Sequence, residues 1–291
     1  MKPTRYATPA AFRRALEDRL MKLAREEALD LLRLRRQVAF DRLLCRLFHQ
    51  PNSPWLLKGG YAMELRIAKA RTTRDIDLAV RPRSSDTGPW NAQAIQQQLQ
   101  TAATLDLNDH FSFLVGRATL DLDAAPYGGA RYLVEAQVGG KTFAKFHVDV
   151  SSGDVLREPY EQLRGRDWLA FASIPSKAFP AISPEEQFAE KLHAYTLPRP
   201  RRPNSRVKDL VDMALLLGQG RLNPERLADS IYATFERRKT HPVPSALPDP
   251  PAAWARPFAA LAKECALPAD IAPHSQALRC YLDKVLPRSA V

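Results

Sequence analysis

The sequence predicts an α+β fold: a mixed sheet flanked by helices, followed by an all-helical C-terminal domain. Three observations carry this reading. Strand-like alternation and a Gly-Gly hairpin signal are confined to about residues 55–150, a glycine-free helical pattern precedes them, and only helical patterns follow the proline-bounded stretch 175–184. A length of 291 residues suits two modest domains, set here at 1–176 and 177–291. A hydrophobic fraction of 45% with 26% charged residues is ordinary globular composition, so a packed core is expected.

Thr8-Pro9 has the form of an N-cap followed by a first-turn proline, and two helices are expected from there to about His49. One polar side carries Arg13, Arg14, Arg19, Lys22 and Arg25, and the second helix adds Arg33, Arg35, Arg36, Arg42 and Arg46. This is either a solvated basic face or a surface for a polyanion. Pro51-Asn-Ser-Pro54 breaks the helix. A short strand, Trp55–Lys58, then leads through Gly59-Gly60 into a helix over Tyr61–Lys69, and Asp75–Val80 alternates as a strand. A glutamine-rich helix is expected from about Trp90 to Leu105, and a strand from Phe111 to Val115. Runs at 131–138 and 141–150 separated by Gly139-Gly140 predict a two-residue hairpin. In its second strand Thr142, Ala144, Phe146, Val148 and Val150 share one face; Lys141, Phe143, Lys145, His147 and Asp149 share the other. Helices follow at about 185–196, 206–217, 224–239, 252–265 and 269–285, with basic or proline-rich connectors at 198–204 and 241–251.

Several chemistries are disfavoured. Cys45, Cys265 and Cys280 form no C-x-x-C pair, the six histidines have no metal-ligand spacing, and there is no P-loop, dinucleotide fingerprint or nucleophile elbow. Every apolar run is broken well short of the about 18–20 residues a membrane helix needs. The first nine residues lack the apolar stretch of a signal peptide, which points to the cytoplasm. The chemistry therefore rests on carboxylates.

Asp75-Ile-Asp77 sets two acids at i and i+2 of a strand, on one face, while Ile76, Leu78 and Val80 bury the other. Such close like charges gain nothing unless a cation joins them, and Mg²⁺ takes carboxylates together with substrate phosphates. Asp149 is the natural third ligand. A glycine turn opening a helix, sixteen residues upstream of Asp75, offers backbone N–H groups to phosphate. Asp121-Leu-Asp123 is a rival pair read as a strand-end feature.

Four segments resemble the nucleotidyltransferases of the DNA polymerase β-like fold, and within them the AbiEii-type toxins of bacterial type IV toxin–antitoxin systems: Leu57–Arg66, Arg71–Leu78, Gln187–Ala194 and Arg206–Met213. The resemblance implies that Gly59 and Gly60, with Tyr61, Thr73 and Arg74 beside them, bind a nucleoside triphosphate. It implies that Asp75, Asp77 and Asp149 hold Mg²⁺ as the catalytic triad. Lys191 would reach the nucleotide's phosphates, and Asp212, with Asp209, would stand beside the site. Read as helix surface alone, Glu190-Lys191 and Lys208-Asp209 are solvated charges. Tyr61 stands where many polymerase β-like enzymes carry serine. His147 is left outside the site, and Arg71 either neutralises triphosphate or offsets the adjacent acids.

The leading function is Mg²⁺-dependent nucleotide transfer from an NTP. The resemblance and the net charge of +11 favour RNA as acceptor, most plausibly the tRNA 3′ end, with blocked translation, a role in phage defence and an AbiEi-like antitoxin as partner. A monomer is expected. Transfer to a small molecule or protein side chain, and non-catalytic nucleic-acid binding, remain as alternatives.

Overall fold

The computed structural model describes residues 6–81, 90–122, 125–200 and 203–286. Helices α1 (Pro9–Glu26) and α2 (Leu31–Leu47) come first. Thr8 caps α1, its hydroxyl accepting from the Ala11 N–H, and Pro9 occupies the first turn, where its missing N–H is not needed. Asp30 caps α2 through the Arg33 N–H at 2.6 Å. There follow β1 (Trp55–Lys58), α3 (Gly59–Arg66), β2 (Asp75–Val80), α4 (Ala92–Ala103), β3 (Phe111–Asp121), β4 (Gly129–Val138), β5 (Lys141–Ser151), β6 (Glu161–Arg164) and β7 (Ala178–Ala181). The rest is helical: α5 (Pro184–Thr196), α6 (Val207–Gly218), α7 (Pro224–Arg238), α8 (Ala255–Glu264) and α9 (Ile271–Val285).

The chain forms two compact units. The first runs to Leu65 and adds Thr72–Gly153 and Glu161–Ala181; the second holds Arg66–Arg71, Asp154–Tyr160 and the chain from Ile182. In the first, seven strands make one sheet in the order β3-β4-β5-β2-β1-β7-β6. Because β2 runs parallel to β5 and antiparallel to β1, the sheet is mixed, as the sequence predicts. Its core joins Phe12 and Leu16 of α1, Val38 and Phe40 of α2 and Ile95 and Leu99 of α4 to Ile76, Leu78, Val148 and Val150. Burial of those four strand positions fixes which face their neighbours present, since a one-residue slip would send every apolar side chain to the other side.

Three local features depart from the expectation. β3 extends to Asp121, where it still pairs with Ala130 of β4. Phe143 is a core residue, 6% exposed, because β5 carries one extra residue there: Gln137 faces Thr142 and Ala136 faces Ala144. β6 and β7 are four-residue strands that no sequence pattern announced, and Pro180 inside β7 argues against a strand.

Much of the basic face of the first two helices is engaged by the protein itself, and Arg42 and Arg46 are buried. Asp109 accepts from Arg42 Nε at 2.8 Å and from Arg46 Nη1 and Nη2 at 2.9 and 2.7 Å, and all three side chains are buried. Arg35 pairs with Glu17, Arg33 with Glu64, and Arg13 donates to the carbonyls of Val138, Lys141 and Thr142 around the hairpin. Arg19 lies over the Phe171 ring. Arg14, Arg19, Lys22 and Arg25 are exposed. Sequence periodicity places arginines on a helix side but cannot reveal a carboxylate more than sixty residues away.

Burial would raise the carboxyl pKa of Asp109, but Arg46 and Arg42 outweigh it and hold the pKa below its usual value. The clamp's contribution is therefore complete above the unfolded carboxyl's pKa of about 4 and is lost as pH falls below it. Asp109→Ala leaves buried Arg46 without its carboxylate and Arg42 with only Asp41, 3.5 Å away, and is expected to cost about 3–5 kcal/mol in urea unfolding. Lys22→Ala, at an exposed helical pair, should cost under about 0.5 kcal/mol. Equal costs would mean that the clamp is not a principal tie.

Candidate active site

β1 ends at Lys58, opposite Asp77 of β2, and the chain turns at once into α3. Gly59 has φ +64°, and a Cβ there would sit 1.9 Å from Asp77 Oδ2, so the position is closed to other residues on two counts. Gly60 donates its N–H to the same oxygen at 3.2 Å, and a Cβ on it would meet Thr73 Oγ1 at 2.5 Å. The glycine pair thus lets a helix start press against the carboxylate strand. Glu64, on α3, fixes the approach to that strand: it accepts from the Thr73 N–H, from Arg33 and from Gln37. Burial pushes its carboxyl pKa up against those three donors. Sequence reasoning assigned no role to Glu64, whose only signal is an acid within the short helix Gly59–Arg66.

Parallel pairing of β2 with β5 sets Asp75 beside His147 and Asp77 beside Asp149. Three carboxylates therefore share one sheet face, and each is met by a protein donor. Asp77 takes the Gly60 N–H, while Asp149 receives Nε and Nη2 of Arg131, both at 2.7 Å. Asp75 lies 3.6 Å from Arg131 and 3.4 Å from His147 Nδ1. The Asp149 hydrogen bonds hold the Arg131 pKa above its usual value despite partial burial, with Asp75 and Asp77 adding to the effect. His147, left outside the site by sequence reasoning, belongs to this face, and Arg131 was not foreseen at all. Asp121 of the rival pair is an exposed strand-end residue, and Asp123 lies outside the described residues.

Three hard oxygen donors on adjacent strands, beside a glycine-cleared space, fit a divalent cation such as Mg²⁺ in chemistry. Among the described residues no three such side chains already form a cage.

The second unit carries its own charged cluster. Asp212, fully buried on α6, receives Nε and Nη2 of Arg71, both at 2.8 Å, and Lys191 of α5 at 3.0 Å. Lys191 also lies 3.0 Å from Asp209, which faces Arg206 at 3.5 Å. Burial opposes the charge on Lys191, yet Asp209 and Asp212 outweigh it and raise its pKa. Arg71 and Lys191 thus face Asp209 and Asp212 two against two, with the 44%-exposed Arg206 at the margin. Read as helix surface alone, Lys191 and Asp209 would be solvated charges, but both are largely buried and paired, and Arg71 is held in a fork by Asp212.

The profile of the family described as nucleotidyl transferase AbiEii toxin, type IV TA system, matches residues 42–279. The chain belongs to the AbiEii family of nucleotidyltransferase toxins. The nucleotidyltransferase toxin MenT4 of Mycobacterium tuberculosis H37Rv has a similar fold, with a TM-score of 0.56 and 16% identity over 98% of this chain and 91% of MenT4. JHP933 of Helicobacter pylori aligns over 87% of this chain and 94% of its own, with 14% identity and a TM-score of 0.46. The antibiotic-resistance factor ANT(2'')-Ia aligns over 69% and 92%, with 18% identity and a TM-score of 0.38. No curated protein matches the chain by sequence. Among the described residues no helix is long and apolar enough to cross a membrane.

Of the remaining residues that the AbiEii resemblance singled out, Thr73 lies under Gly60, with its hydroxyl on the Asp75 carbonyl, and Arg74 is exposed. Tyr61 needs correcting as a side-chain contact: it is 1% exposed, stacks edge-on against Phe40, and donates its hydroxyl to the Gln37 carbonyl. An AbiEii chain with Lys191→Ala loses a cation shared by two buried carboxylates. It should lose about 2 kcal/mol or more in urea unfolding, whereas Lys208→Ala, at an exposed position of α6, should lose under about 0.5 kcal/mol. A Lys191→Ala cost as small as that of Lys208→Ala would return Lys191 to the helix surface.

Proposed function

We propose that this AbiEii-family chain transfers a nucleotide from an NTP to RNA, with the 3′ end of tRNA as acceptor and blocked translation as the consequence. The observation that carries this reading is the β2–β5 register, which sets Asp75 and Asp77 beside His147 and Asp149 next to the Gly59-Gly60 turn. Asp75, Asp77 and Asp149 would hold Mg²⁺, which when bound draws negative charge from phosphate oxygens. Gly59 and Gly60 open a helix N-terminus whose N–H groups suit a triphosphate, and Thr73 and Arg74 stand on the strand that enters the site. Lys191 would contact the nucleotide's phosphates, as the AbiEii resemblance implies, with Asp209 and Asp212 keeping it charged and oriented. As the acceptor oxygen bonds to the α-phosphorus, the bond to pyrophosphate breaks.

Membership of a type IV toxin family implies an antitoxin partner, for which an AbiEi-like protein is the natural candidate. On the same reading the chain acts as a cytoplasmic monomer in phage defence. Support for RNA comes from the net charge of +11 and from the exposed Arg14, Lys22 and Arg25. That basic surface is smaller than the composition suggests. Arg199 donates to the Ala194 and Leu197 carbonyls, and its neighbours Arg201 and Arg202 lie outside the described residues.

Incubating the protein with each labelled NTP, Mg²⁺ and total cellular RNA should label a tRNA-sized species. Asp75→Asn or Asp77→Asn should abolish the label with little change in melting temperature, since neither side chain packs in the core. Binding of tRNA should weaken with salt by a log–log slope of about 0.7–0.9 per phosphate contact. Near-normal turnover in either Asn variant would remove the metal role, and salt-independent transfer would move a small-molecule acceptor ahead.

A further inference from the structure

Pairing of β4 with β5 places Arg131 opposite Asp149 and turns its guanidinium onto the carboxylate face. One cation thereby touches two of the three carboxylates: both oxygens of Asp149 at 2.7 Å, and Asp75 Oδ2 at 3.6 Å. The two groups are held differently from the chain's buried arginines. The Arg131 side chain is 31% exposed and those of Asp75 and Asp149 are 30% and 13% exposed, so water reaches the pair and screens it. Asp109, by contrast, holds its two arginines in full burial.

We propose that Arg131 is a built-in counter-cation, which a divalent ion must displace from Asp149, and that it thereby sets the affinity of the free protein for that ion. The inference rests on reading Asp75, Asp77 and Asp149 as cation ligands. Two physical effects work together. A carboxylate with both oxygens engaged by a guanidinium fork has fewer lone pairs to give, and a fixed positive charge a few ångströms away opposes an arriving dication. The same fork quiets the repulsion among three carboxylates when no ion is present.

Mn²⁺ binding to the free full-length protein, read from the resonance signal of the unbound ion, tests this. Arg131→Gln is expected to bind Mn²⁺ at least about tenfold more tightly, since a unit charge at short range in half-wet surroundings is removed. Arg131→Lys keeps the charge but cannot engage both oxygens of Asp149, and should shift the same way by about threefold. The rise in melting temperature on adding Mn²⁺ should follow the same order. Equal or weaker Mn²⁺ binding in both variants overturns the inference and leaves Arg131 as a residue that only orients Asp149. Absence of Mn²⁺ binding in all three proteins overturns it together with the metal role of the carboxylates. Labelling of RNA by the unchanged protein is scored separately: if it is absent while Arg131→Gln still binds Mn²⁺ more tightly, the transferase reading falls and the inference stands.

Discussion

Three carboxylates on two adjacent strands repel one another, and most of the first unit can be understood as the structure that makes this tolerable. The register is imposed from behind, where Ile76, Leu78, Val148 and Val150 are buried against α2 and its neighbours. Those contacts are worth about 1.5–3 kcal/mol per fully buried side chain, far more than the repulsion between partly solvated acids on the opposite face. Packing therefore wins, and local donors soften the remaining strain: the Gly60 N–H on Asp77, Arg131 on Asp149, and His147 with Arg131 on Asp75. The glycine pair belongs to the same compromise, since any side chain at Gly59 would occupy the place of the Asp77 carboxylate.

The parts of this arrangement legible in the sequence are those that depend on spacing within a few residues. Asp75-Ile-Asp77 announces two acids on one face because a strand has period two, and Gly139-Gly140 announces the hairpin that brings Asp149 into the sheet. The parts not legible depend on partners brought together by topology. Arg131 meets Asp149 only through the β4–β5 ladder, Arg71 meets Asp212 from 141 positions away, and Arg46 meets Asp109 from 63. Phe143 was assigned to the wrong face because a single inserted residue resets the alternation. β7 was hidden by its proline and its brevity, although it joins β1 to β6 in the sheet.

Composition misleads for a related reason. An excess of 43 basic over 32 acidic residues suggests a basic exterior, yet much of the arginine on α1 and α2 serves internal carboxylates and carbonyls. Arginine can do this because its planar fork satisfies several acceptors at once and does not lose its proton when buried. Net charge therefore measures how far a polyanion is attracted from a distance, and says little about which surface it meets.

The two charged clusters are built to opposite ends. In the second unit Asp212 is fully buried and Lys191 and Arg71 nearly so, which makes separation of any one charge expensive, on the order of 3–5 kcal/mol. Such a cluster, two cations against two carboxylates, keeps its ions through any encounter. In the first unit Arg131, Asp75 and His147 remain about a third exposed, where an ion pair is worth roughly 0–1 kcal/mol. Partners there can be exchanged for an arriving cation, at a cost set mainly by the Arg131 fork on the less exposed Asp149. A chain that must hold some charges still while trading others needs this difference in burial more than it needs any particular count of charges.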